Sequence, residues 1–146
     1  MSSAGRKGPP GPTDPDRGLW QGRSIARVFT SPDGFVVLVG RTAQDNDLLS
    51  VRLASPRDFW FHVAGHPGSH VVVRNPDGLD RLPRETEQFA AGLAAGYSKQ
   101  KKGGRVAVHV ATCADVSKPR GLPPGKVQLK RFKALQVAPV RATDGA

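Results

Sequence analysis

One cysteine, Cys113, stands in 146 residues, so the chain cannot close an internal disulfide, which suits a reducing compartment. No stretch approaches the ~20 consecutive apolar residues that a membrane span requires. The first residues lack the apolar core of a secretory signal. A cytoplasmic protein without a membrane partner is the expectation. Acidic residues are scarce in one region above all. Residues 99–133 carry ten Lys or Arg and a single acid, Asp115, whereas residues 1–98 set eleven basic against ten acidic residues. Nearly all of the net charge of +10 therefore lies in about a quarter of the chain. A solvated basic surface would explain a high isoelectric point, but such uneven placement favours a polyanionic partner.

Bulky apolar side chains are almost missing from the first 18 residues, eight of which are Gly or Pro. Residues 1–20 are read as a disordered tail, since so little burial cannot offset the entropy of ordering. Residues 21–138 are expected to form one domain and 139–146 a second tail. Ser24–Thr30 and Phe35–Val39 read as a hairpin across Ser-Pro-Asp-Gly. Thr42 and Asp45 open a helix by a capping-box-like start, although Leu49-x-Val51-x-Leu53 also fits a strand. Phe59–Val63 and His70–Arg74 read as antiparallel strands. The spacing then predicts a helix from Pro83 to the lysines at 99–102, closed by Gly103-Gly104, with Phe89, Leu93 and Tyr97 in one apolar stripe. On that helix Gly92, Ala95 and Gly96 are small enough for a neighbouring backbone to approach. Strands at Arg105–Ala111 and Lys126–Val137 complete a ββαββαββ-like order, an α+β fold with two helices on a mainly antiparallel sheet.

The densest chemistry lies in Asp58-Phe-Trp-Phe-His-Val-Ala-Gly-His-Pro-Gly-Ser-His70. Strand alternation puts Phe59, Phe61 and Val63 on one face, read as core, and Asp58, Trp60 and His62 on the other. The second set is either a further buried layer or a recognition strip, in which Trp60 stacks on an unpaired base for roughly 1–3 kcal/mol. His62, His66 and His70 are spaced as on one helical face, but Pro67-Gly68 interrupts any helix there, so no metal site is expected. A hydrolytic reading would make Ser69 a nucleophile served by His62 or His70. It lacks the strand-to-helix elbow that exposes such a serine.

These residues resemble the signature of the NFACT-R family, the RNA-binding module of the large NFACT proteins of ribosome-associated quality control. The resemblance rests on Asp58-x-Trp60-x-His62 followed by Pro67-Gly68-Ser69-His70-Val71-Val72. Upstream it extends through Gly40-Arg41 to Asn46-Asp47. Downstream it runs through Ala95-Gly96-Tyr97-Ser98-Lys99 and Val116-Ser117-Lys118-Pro119 to Gly125, covering about residues 35–130. The large proteins also carry an N-terminal domain and a helical middle region, for which 146 residues have no room. The resemblance implies a non-enzymatic, cofactor-free RNA-binding protein acting on rRNA or tRNA at stalled large ribosomal subunits. It also tips Trp60 and His62 towards recognition. The candidate contacts are Arg41, Asn46, Asp58, Trp60, His62, Ser69 and His70 from the signature. Lys99, Lys101, Lys102, Lys118, Arg120 and Lys126 join them from the basic region. The alternatives are a small metal-dependent or hydrolytic enzyme built on His62, Ser69 and His70, and a protein-binding adaptor with a basic face.

Overall fold

The computed structural model of the chain describes residues 10–141. Six antiparallel strands form its centre: β3 (Ala26–Thr30), β4 (Val36–Gly40), β5 (Phe59–Val63), β6 (Val71–Val73), β7 (Val106–Thr112) and β10 (Lys133–Val137). Their order across the sheet is β10-β7-β5-β6-β4-β3. Short hairpins flank it, β1 (Leu19–Trp20) with β2 (Arg23–Ser24) and β8 (Val116–Ser117) with β9 (Gln128–Leu129). The fold is α+β as expected, with more and shorter strands than the ββαββαββ order.

Each face of the sheet carries one helical segment, and the segment on the second face covers it only in part. Helix α2 (Arg84–Gly96) packs Ala90, Ala91, Leu93 and Ala94 on a face built from Val37, Val39, Phe61, Val71, Val73, Val108 and Val110. The interleaved residues Leu38, Trp60, Val72 and Ala111 point the other way. They meet Ile25, Leu49, Leu53 and Val116 in a second core. Its cover is α1 (Ala43–Asp47), capped by Thr42 Oγ1 accepting from Asp45 N–H at 3.1 Å, and the π-helical turn Leu48–Leu53 that continues it. The runs Val-Val-Leu-Val in β4 and Val-Val-Val in β6 are continuous rather than alternating because these strands are buried on both sides.

This second core corrects the reading of the signature strand. Trp60 and Asp58 are 2% and 1% exposed, so neither belongs to a surface strip. Alternation separates Trp60 from Phe61 correctly, but it does not reveal that the π-helical turn lies over Trp60. Asp58 is a structural hub. One carboxylate oxygen accepts from Asn75 N–H at 2.9 Å, and the other accepts from Ser55 N–H at 2.9 Å and from Arg74 at 2.6 Å.

Other boundaries also move. Residues 10–20, expected within a disordered tail, form a 3-10 turn at Pro15–Arg17 and strand β1; residues 1–9 lie outside the described residues. Helix α2 ends at Gly96, before the lysines. Tyr97 leaves helical geometry and its carbonyl accepts from Ser69 N–H at 3.0 Å, while Lys99 N–H donates to Pro67 at 3.0 Å. Pairing with the loop after β5 replaces further helical turns, so Lys99, Lys101 and Lys102 occupy a turn rather than a helix terminus. The last strand is broken between β9 and β10 at Lys130–Phe132. The small residues of α2 do admit a neighbouring backbone. Val140 N–H donates to Gly92 at 2.9 Å, and a Cβ on Gly96 would fall 1.8 Å from the Val140 carbonyl oxygen. That docking holds residues 139–141, expected in the C-terminal tail, against α2; residues 142–146 lie outside the described residues. No helix among the described residues is long and apolar enough to cross a membrane.

Candidate nucleic-acid interface

The signature segments converge on one cleft of about 790 Å³. Its walls are the loop after β5, the start of α1, the turn after α2 and the loop that precedes β9. Among the described residues six cations line it, Arg27, Arg41, Lys99, Lys101, Lys126 and Arg141, and no carboxylate does. All four histidines of the chain line it as well. Low-dielectric walls bearing one sign of charge concentrate potential, so the arrangement suits a polyanion.

The floor of the cleft is a chain of hydrogen bonds whose donors can be assigned. Trp60 Nε1–H donates to Ser50 Oγ at 3.0 Å, so the Ser50 hydroxyl is free to donate to His70 Nδ1 at 2.8 Å. His70 Nε2 then carries the proton and donates to the Gly125 carbonyl at 3.0 Å. Burial pushes the His70 pKa down to about 4, with His62 next to it as the second cause. Both ring nitrogens of His70 are committed, which removes it as a general base for Ser69 and weakens the hydrolytic alternative. His70 is 1% exposed and fastens the 124–127 wall to the sheet. That corrects its reading as an RNA contact.

Asn46 is likewise buried and structural. Its Oδ1 accepts from His70 N–H at 3.1 Å and its Nδ2 donates to the Gly68 carbonyl at 3.4 Å. Gly40 has no Cβ for a physical reason, since one would fall 1.9 Å from Asn46 Oδ1. Lys118 is engaged as a clasp. Its Nζ reaches the Pro123 carbonyl, the Lys126 carbonyl at 2.6 Å and the Asp47 carboxylate at 3.2 Å. Asp47 also accepts from Gly125 N–H at 3.2 Å. These bonds make the Pro/Gly-rich segment from Lys118 to Gly125 a fixed wall of the cleft.

Of the residues chosen from sequence, Arg41, His62, Ser69, Lys99, Lys101 and Lys126 thus gather in the cleft with accessible side chains. Lys102 and Arg120 are exposed but lie outside it. Asp58, Trp60, His70, Asn46 and Lys118 hold it together. Sequence reasoning missed Arg27, Tyr97, His109 and Arg141. The guanidinium carbons of Arg27 and Arg141 stand 5.3 and 4.2 Å from the Tyr97 ring centre, an assembly of three elements distant in the chain. Among the described residues no group of three or more His, Cys, Asp or Glu is placed to hold a metal ion. Cys113 is buried and its thiol pKa is pushed up, chiefly by desolvation and then by Asp58, so it behaves as a small core residue.

His62 is held low as well, at about 4, first by burial and then by its cross-strand neighbour His109. The unfolded chain therefore binds more protons than the native state between about 4 and 6.5 at both His62 and His70. Their contribution is fully present above pH 6.5 and is lost as pH falls towards 4. Thermal midpoints are expected to drop steadily across this window, with the upper half belonging to the histidines because most carboxylates titrate lower. A His62→Gln, His70→Gln pair should have a lower midpoint at neutral pH and a flatter profile. A wild-type midpoint constant from pH 6.5 to 5 would contradict the neutral, buried assignment.

The profile of the NFACT protein RNA binding domain matches residues 26–131. The protein named Rqc2 homolog RqcH from Bacillus subtilis is 34% identical over 115 residues, which is 79% of this chain and 20% of that protein. The ribosome quality control complex subunit NEMF homolog of Drosophila melanogaster is 34% identical over 70 residues, 48% of this chain and 7% of its own length. A solved structure of the C-terminal part of the fibronectin/fibrinogen-binding protein from Streptococcus suis superposes with a TM-score of 0.75 at 33% identity. It covers 81% of this chain and 47% of that one. The chain thus spans about a fifth of the length of the RqcH proteins it matches.

Proposed function

The chain belongs to the NFACT RNA-binding domain family, and from that premise we propose that it binds rRNA or tRNA during quality control of stalled large ribosomal subunits. The observation that carries the reading is the cleft. Among the described residues, six cations and no carboxylate line a pocket on which the segments of the family signature converge. Phosphate contacts from Arg41, Lys99, Lys101 and Lys126 supply affinity, and the histidine-lined floor selects by shape. The module acts by binding, without catalysis.

Crosslinking the protein to RNA in cells and sequencing the recovered fragments tests this. Enrichment of large-subunit rRNA or of tRNA over mRNA, normalised to abundance, is the expected result. Recovery in proportion to abundance, or recovery of mRNA alone, would overturn the ribosomal assignment. Recovery of protein partners without RNA would favour an adaptor whose basic face meets acidic proteins.

A further inference from the structure

On the second face of the sheet, Trp60 is paired with Ala111, and His62 with His109. His109 is in turn paired with Ala134 on β10. The π-helical turn covers the Trp60 end of this stripe but stops short of the other. There His62 and His109 are only partly buried and open on the cleft, and the small Ala134 is exposed. Two residues before Ala134, where the last strand is interrupted, Phe132 is 53% exposed with its ring centre 4.5 Å from that of His109. Single exposed aliphatic residues are ordinary on protein surfaces. Phe132 differs in being a large aromatic packed against a ring that itself lines a cationic cleft.

Phe132 also borders a second hollow of about 700 Å³, which contains Arg81, Arg84, Arg131 and Lys133 beside Asp80 and Glu87. Two of these cations are partly answered, Arg131 by Asp115 at 3.8 Å and Lys133 by Glu87 at 2.9 Å. A strand crossing Phe132 thus leaves one basic surface and meets another. Rings on an open sheet face flanked by cations bind bases by stacking and backbone by charge. Stacking of this kind requires a free base face, which a duplex does not offer.

We propose that Phe132 and His109 form a stacking platform for unpaired nucleotides, extending the cleft along the open half of the sheet. The inference rests on the RNA-binding reading and adds to it a substrate class, single-stranded RNA or an unpaired loop, together with the ring that recognises it. Stacking adds affinity without ion release, so it acts on binding strength and leaves salt dependence to the cationic residues.

The test is fluorescence anisotropy of the full chain with a labelled single-stranded RNA and with the same sequence as a hairpin-free duplex. Wild type should prefer the single strand. Phe132→Ala should weaken single-strand binding roughly tenfold or more, with an unchanged salt slope and an unchanged thermal midpoint. Phe132→Trp should restore affinity, and its added indole emission should be quenched on binding. Equal single-strand affinity for wild type and Phe132→Ala would overturn the platform while leaving the proposed function intact. The platform falls equally if Phe132→Ala changes only the capture of a ribosomal protein. Failure of the wild type to bind any RNA would instead remove the proposed function itself, and the platform with it.

Discussion

Trp60→Ala is expected to lose about 3–5 kcal/mol of stability, as much as Phe61→Ala, because each truncation empties a large buried site. The two rings lie on opposite faces of β5 and belong to different cores, Phe61 facing α2 and Trp60 the π-helical turn. Trp60 carries an added penalty. Its indole N–H satisfies Ser50 Oγ, which in turn orients His70 and, through it, the Gly125 wall. Trp60→Phe keeps most of the packing and removes only the donor, so it should fall between wild type and Trp60→Ala. Against a typical total of about 5–15 kcal/mol, the alanine variants approach the limit of folding. Chemical denaturation of the three variants decides the matter. A Trp60→Ala protein with the wild-type midpoint and lost RNA affinity would return Trp60 to the recognition surface.

The burial of Trp60 was only partly legible in the sequence. Alternation in Phe59–Val63 correctly divides the side chains between two faces, because period-2 geometry is local. Whether the second face meets water depends on a turn ten residues upstream, and no local pattern encodes it. The apolar residues of Leu48–Leu53 fit both helix and strand for a related reason. A π-helical turn carries neither period, and it places Ser50 inward between Trp60 and His70. Hairpins marked by Ser-Pro-Asp-Gly and the small face of α2 were legible, since turn chemistry and steric access act at short range. The end of α2 was not. Lysines and Gly103-Gly104 suggest a helix terminus, but pairing of Ser98 with Gly68 across the fold ends the helix at Gly96 instead.

The cleft was legible only in part, for the same reason. The excess of positive charge after residue 98 points to a polyanion, yet the structure spreads those cations widely. Lys99, Lys101 and Lys126 reach the cleft, Lys118 is taken up as a clasp, and Lys133 pairs with Glu87 on α2. The cleft completes its cationic rim with Arg27 and Arg41 from the balanced part of the chain and with Arg141 from beyond β10. Charge counting along a sequence therefore points to a class of partner but does not locate the patch.

Changing Arg41, Lys99, Lys101 and Lys126 together to Gln is accordingly expected to weaken RNA binding by about a hundredfold at physiological salt and to lower the log–log salt slope by about 3, at ~0.7 per phosphate contact on a single strand. The variant should fold normally. The side chains of Lys99, Lys101 and Lys126 are exposed, and the bonds these residues make to the rest of the fold run through their main-chain atoms, Lys99 N–H to Pro67 and Lys126 C=O from Lys118. Arg41 gives up a side-chain bond to Ser24 at 3.2 Å near the surface, a minor loss. The matched control removes the same number of charges outside the cleft, at Arg17, Arg52, Lys102 and Arg120, all exposed. If binding follows the cleft, the control keeps most of its affinity and nearly the wild-type slope. If the control loses as much as the cleft variant, net charge governs binding and the geometry of the cleft is incidental. The slope makes the comparison sharp, because it counts the ions released on binding and is insensitive to a general loss of active protein. Because Phe132→Ala is expected to reduce affinity at constant slope, the two variants divide recognition into a part set by phosphate charge and a part set by the exposed ring.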